Sequence, residues 1–199
     1  KKLIDNINQK QTSVKQVLAS LGQPYLMKHY QEIFDKLDIK TSQILLTRKE
    51  ITEDKSTYLN IKNTIEKLIE FKIIPIINEN DVVSTEELEG EKFGDNDTLS
   101  SFVSNMIDAN LLIILSSIEG LFTTDPNLYP QSAKLISEIK NVGIQDIDSL
   151  GGPTANNLGT GGMNAKLKAI ELASVSGTDV IIASGKNPDN ILKIINSKH

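Results

Sequence analysis

At 199 residues, 39% of them hydrophobic, the chain is long enough for one substantial core and too short to argue for two. A formal net charge of -5 provides no broad cationic field of the kind that neutralises phosphates, which counts against a nucleic-acid role. Cysteine is absent, and the apolar runs Ile73 to Ile77 and Leu111 to Leu115 are far shorter than the roughly 20 residues of a bilayer-spanning helix, so a cytoplasmic domain without a membrane segment is expected.

From Thr12 to Leu37 apolar residues recur at helical spacing: Val14, Val17, Leu18 and Leu21, then Leu26, Tyr30, Ile33, Phe34 and Leu37. Gly22 and Pro24 interrupt them, which predicts two helices with a short joint. Ser42 to Thr47 has strand character, and Tyr58 to Phe71 returns to helical periodicity through Leu59, Ile61, Ile65, Leu68 and Ile69. Lys72 to Asn78 is a β-branched run typical of strands buried on both faces of a parallel sheet, although Pro75 counts against a central position. A helix is expected over Asp97 to Asp108, a buried strand over Asn110 to Leu115 and a Gly-rich stretch over Gly151 to Gly162. After it come a helix from about Met163 to Ser176, a strand from Asp179 to Ala183 and a last helix from about Pro188 to Asn196. Such βα alternation predicts an α/β fold with a largely parallel sheet and helices on both faces, where ligands sit beyond the carboxyl ends of the strands.

Three polar clusters follow predicted strands: Asn78-Glu79-Asn80-Asp81, Gly94-Asp95-Asn96-Asp97, and Ser116-Ser117 before Glu119-Gly120. The first two are dense in carboxylates and carboxamides, which accept hydrogen bonds from an ammonium group and, through Asn, donate to a carboxylate; that suits a zwitterionic amino acid. Either cluster alone is equally what turns and helix caps are made of. A fourth cluster, Gly159-Thr160-Gly161-Gly162-Met163-Asn164-Ala165-Lys166, runs from a loop into a helix that carries a lysine. Free N–H groups at a helix start, glycines that allow close approach and one ammonium suit a phosphate. The spacing is that of neither a Walker A loop nor a dinucleotide fingerprint. His29, among Met27, Lys28 and Tyr30, has no second His or Cys beside it, so no protein-held metal is expected.

In series these segments resemble the kinase domain of the glutamate 5-kinase family, within the amino acid kinase superfamily. The segments that carry the likeness are Lys10 to Gln23, QILLTR (Gln43 to Arg48), YLNIKNT (Tyr58 to Thr64), PIINEND (Pro75 to Asp81), KFGDND (Lys92 to Asp97), EGLFTTDP (Glu119 to Pro126) and GTGGMNAK (Gly159 to Lys166). The resemblance implies a three-layer αβα sandwich of the carbamate kinase-like type over residues 1–199. It also implies ATP-dependent phosphorylation of the glutamate side-chain carboxylate, the first step of proline biosynthesis. Carried over position by position, Asn78, Asp81 and Asn96 bind glutamate. Ser116, Ser117, Thr160, Gly161, Gly162, Met163, Asn164, Ala165 and Lys166 hold ATP. Lys166 and Asp97 form the catalytic group, Mg²⁺ rides on the nucleotide phosphates, and proline feedback and a homo-oligomer come with the family.

Two departures qualify the match. The family's N-terminal strand, its lysine-plus-GSS phosphate loop and the following SSGA segment have no counterpart, so the site as written is incomplete; a fragment is expected in preference to a truncated, inactive homologue. Ser116-Ser117 stands where the family usually has Thr-Asp, which removes a carboxylate from the nucleotide side. The RNA-binding-like C-terminal domain of many relatives is also unmatched, as in a short form. The rival readings are an enzyme of the same fold with another acceptor, and a non-catalytic module that binds glutamate or proline.

Overall fold

The computed structural model describes residues 12–83, 96–124, 129–139 and 162–197. The chain divides into two compact units, Lys1–Leu99 and Ser100–His199.

Among the described residues of the first unit, α1 (Thr12–Phe34) leads through a 3-10 turn (Asp35–Leu37) into β1 (Thr41–Leu46). The expected joint is not there: α1 runs through Gly22 and Pro24 without a break. A proline inside a helix forfeits the bond to the carbonyl four residues earlier, here Ser20, yet a single lost bond does not end a helix that has no cap on either side of the gap. The sequence looks broken because, at roughly 100° per residue, Val14, Val17, Leu18 and Leu21 face one side of the helix and Leu26, Tyr30 and Ile33 another. Many of these side chains, Val17, Leu21, Leu26 and Ile33 among them, are exposed.

After β1 come α2 (Arg48–Thr52), α3 (Lys55–Glu70) and β2 (Ile74–Glu79). In α2, too short to show periodicity, the Glu50 carboxylate folds back to accept the Thr47 backbone N–H at 2.6 Å. Asp54 caps α3, accepting from the N–H groups of Ser56 at 2.9 Å and Thr57 at 3.2 Å and from the Thr57 hydroxyl at 2.6 Å. Those bonds, the Thr57 hydroxyl first, hold its carboxyl below the ordinary value of 3.8. Ile65, facing inward from α3, is 1% exposed and lies in a core with Leu46 and Ile51. β2 pairs parallel with β1 from Thr41↔Ile74 to Leu46↔Glu79, with the helices as the crossover that a parallel pair requires. The strand expected to be buried on both faces is half-buried throughout, and among the described residues it has β1 as its neighbour.

The second unit is built the same way. The boundary falls inside α4 (Asn96–Met106), which is followed by β3 (Leu111–Ser116), α5 (Gly162–Val175), β4 (Asp179–Ser184) and α6 (Asp189–Asn196). β3 and β4 pair parallel from Leu111↔Asp179 to Ser116↔Ser184. Small side chains let α4 and α5 approach closely: Ser101, Ala169 and Ala173 are fully buried with Met106. The Ser101 hydroxyl donates to the Ala169 carbonyl at 2.8 Å, and Asn105 Nδ2 donates to the Leu172 carbonyl at 2.8 Å. At the strand starts the Thr178 hydroxyl donates to the Ala109 carbonyl at 2.9 Å. Contrary to a fully buried strand, Leu115 in β3 is 48% exposed. The α/β class and the parallel pairing are as the alternation predicts.

Candidate functional site

The Asn78-to-Asp81 cluster sits where the strand order predicts, at the carboxyl end of β2. Asn78 and Glu79 are the last strand residues. The chain then turns: Asn80 N–H donates to the Leu46 carbonyl at 2.8 Å, and Val83 N–H donates to the Asn80 carbonyl at 3.0 Å. From α1, Gln16 Nε2 reaches the Val82 carbonyl at 2.9 Å. The turn is thus tied to both β1 and α1, and it carries Asp81 exposed while Asn78 stays half-buried.

Asn78 also has a partner that sequence reasoning missed. Its Nδ2 donates to Gln23 Oε1 on α1 at 3.1 Å. Gln23 Nε2 is buried and has no acceptor among the described residues. An orphaned buried donor of this kind costs about 1–3 kcal/mol, so its presence calls for a reason. Gln23 lay within the predicted interhelical joint; its one signal in the sequence was a polar amide inside the motif that ends in Leu21-Gly22-Gln23.

Asn96 is exposed and opens α4, with Asp97 half-buried in the first turn. Gly94 and Asp95, the rest of that cluster, lie outside the described residues.

In the second unit, Ser116 ends β3 and Ser117 follows it, exposed. The neighbouring strand end is drawn close, because Gly185 N–H donates to the Ser116 carbonyl at 2.8 Å. A Cβ on Gly185 would meet Leu115 Cβ at 3.4 Å, an ordinary contact. Gly120 differs: a Cβ there would come within 3.0 Å of Leu135 Cδ1, in the segment that pairs antiparallel through Phe122↔Leu135. Gly162 to Ala165 form the first turn of α5, and Lys166 lies just beyond it, half-buried. The helix therefore begins inside the glycine motif. Thr160 and Gly161 lie outside the described residues.

The structure thus brings Asn78 and Asp81 to one strand end, and Ser116 and Ser117 to another. Among the described residues no cluster of His, Cys, Asp or Glu could hold a metal ion, and no helix is long and apolar enough to cross a membrane.

Comparison with known proteins gives the family. The profile of the Amino acid kinase family matches residues 2–184. The glutamate 5-kinase of Dehalococcoides mccartyi strain 195 is 48% identical over 185 residues, 93% of this chain and 49% of that protein. That of Methanosarcina barkeri is 44% identical over 93% of this chain and 47% of its own length, so the chain spans about half of these relatives. That of Ligilactobacillus salivarius is 43% identical over 95% of this chain and 70% of its own length. Among solved structures, Escherichia coli aspartokinase III in complex with aspartate and ADP superposes with a TM-score of 0.56 at 18% identity, over 90% of this chain and 40% of that one, a likeness of fold. The chain belongs to the amino acid kinase family and, on its likeness to these relatives, to the glutamate 5-kinases within it.

Proposed function

We propose that the protein transfers the γ-phosphoryl group of ATP to the side-chain carboxylate of L-glutamate, giving glutamyl 5-phosphate and ADP, the entry to proline biosynthesis. The observation that carries this reading is the NEND segment, Asn78 to Asp81, fastened to the end of β2 in a chain 48% identical to a glutamate 5-kinase.

The glutamate side chain, with a pKa of about 4.3, is already ionised at neutral pH, so no general base is needed to make the nucleophile. One carboxylate oxygen attacks the γ-phosphorus. The bond from that phosphorus to the β,γ-bridging oxygen breaks, and ADP leaves with the electron pair. The obstacle is bringing an anion against a polyanion through a loose transition state, so catalysis rests on positioning and on positive charge. In this reading Asn78, Asp81 and Asn96 hold the amino acid, with the carboxylate of Asp81 suited to its ammonium group. The start of α5, with Thr160, Gly161, Gly162, Met163, Asn164 and Ala165, grips the phosphates while Lys166 neutralises charge that develops on the transferring group. Asp97 orients the charged groups around it, and Ser116 and Ser117 line the nucleotide side. Mg²⁺ arrives on the nucleotide phosphates as part of the substrate and shields their charge. Proline as a feedback inhibitor and a homo-oligomeric assembly belong to the same proposal.

An ATP-dependent hydroxamate assay on the full-length protein tests it, with glutamate, aspartate and other amino acids as acceptors. Product is expected with glutamate. A protein that turns over ATP only with a different acceptor would keep the family and overturn the substrate.

A further inference from the structure

We infer that Gln23 belongs to the amino-acid site: its side-chain amide, oriented by Asn78, offers a buried N–H donor to a carboxylate oxygen of the bound amino acid. The inference rests on the substrate reading above and goes beyond the polar cluster after β2.

The geometry begins with the hydrogen bond from Asn78 Nδ2 to Gln23 Oε1 at 3.1 Å, which joins residues 55 apart in sequence. A glutamine amide has one acceptor oxygen and a nitrogen with two N–H donors. Committing Oε1 to Asn78 fixes which end of the amide faces the strand and which is left over. The end left over is Nε2, buried and without an acceptor among the described residues. A donor in that state matches a ligand that brings acceptors, and a carboxylate brings two oxygens.

The surrounding chemistry points the same way. Glu79 and Asp81 are acceptors only, suited to the ammonium end of an amino acid and unsuited to its carboxylates. Donors at this strand end must come from amides. Because one Asn78 N–H is taken up by Gln23, the pair acts as a relay that presents a donor from α1 in place of one from β2. A hydrogen bond to a charged acceptor is also about twice as strong as one between neutral groups, which favours a carboxylate over a neutral carbonyl as the occupant.

Two variants of the full-length protein separate this from a structural role. Gln23→Glu keeps an oxygen for Asn78 to donate to and replaces the donor with an anion; Gln23→Met keeps the length and removes both. In the hydroxamate assay the KM for glutamate is expected to rise roughly tenfold to a hundredfold in Gln23→Glu and by about tenfold in Gln23→Met, the loss of one hydrogen bond to a charged group. The KM for ATP should stay within about twofold, a split that general unfolding would not produce. An unchanged or lowered KM for glutamate in Gln23→Glu, with the unsubstituted protein active, overturns the role of Gln23 and leaves the substrate reading standing. No glutamate-dependent product from the unsubstituted protein takes both with it. Should the variants fail to fold, the glutamate complex of the unsubstituted protein decides: Nε2 of Gln23 within about 3.2 Å of a carboxylate oxygen supports the inference, and a separation beyond about 4 Å overturns it.

Discussion

Asn80 N–H donates to the Leu46 carbonyl at 2.8 Å, one residue beyond Leu46↔Glu79, the last registered pair of β1 and β2. The ladder thereby extends into the polar cluster, so Asn78 is presented by strand backbone and Asp81 by the turn fastened directly to its end. Side chains held by an extended ladder lose little further entropy on meeting a ligand, which is what a recognition site requires.

Asp81→Ala should therefore act on one substrate. Loss of a carboxylate that meets an ammonium group is expected to raise the KM for glutamate by about tenfold to a hundredfold. The KM for ATP should move by less than about twofold, as steady-state kinetics with each substrate varied in turn would show. Equal losses for both substrates would mean that Asp81 supports the fold and not the ligand.

Lys166→Met should act on turnover. Removing a group that stabilises charge in the transition state lowers kcat by roughly 10² to 10³. The far-ultraviolet circular dichroism should not change, since Lys166 is half-buried within a helix and methionine is an equally good helix former. Retained kcat would remove Lys166 from the reaction.

The core of the first unit makes a separate prediction. Ile65 is 1% exposed, and Ile65→Ala should lower stability by about 2–5 kcal/mol, from lost transfer energy and the cavity left behind. Urea unfolding followed by circular dichroism measures it. A midpoint that does not move would show that α3 does not pack as described.

Asp54 tests the helix cap through pH. Its carboxyl is held below 3.8 by the Thr57 hydroxyl and the neighbouring N–H groups. A depressed folded-state value means that the ionised cap adds stability above the unfolded-state value, and that this contribution fades as pH falls through the folded one. Asp54→Ala should thus be less stable than the parent at pH 7. The gap between their urea midpoints should shrink as pH drops below 3.8. A gap that stays constant across that range would contradict a charged cap.

Much of this was legible in the residues. The runs Lys72 to Asn78 and Asn110 to Leu115 are β-branched or apolar enough to announce strands, and Tyr58 to Phe71 repeats with helical period; β2, β3 and α3 lie there. Asn78 to Asp81 and Ser116-Ser117 then fell at strand ends because parallel α/β topology puts such segments there, whereas Asn96 and Asp97 open a helix. What escaped has physical reasons. Pro24 and the shift of the apolar stripe imitate a helix break, whereas a helix survives the loss of one backbone bond. The five residues of α2 are too few for a periodic signal. Burial was overread: in β2 and β3 a run of Ile and Leu shows that a strand forms, and not how much of it its neighbours cover. The Gln23 to Asn78 contact joins an apparent joint to a strand end across 55 residues, and no local pattern encodes such a pairing. The roles of Thr160 and Gly161 rest on the motif, as these residues lie outside those described.

The most direct test follows the oxygen atoms. Glutamate labelled with ¹⁸O in its side-chain carboxylate would be incubated with ATP, Mg²⁺ and the full-length protein, and the product cleaved by hydroxylamine at its acyl carbon. If a carboxylate oxygen attacks phosphorus, that oxygen stays with the phosphate, and mass spectrometry should find one ¹⁸O in the inorganic phosphate released. Unlabelled phosphate would mean that water and not glutamate receives the phosphoryl group, and the proposed reaction would be wrong.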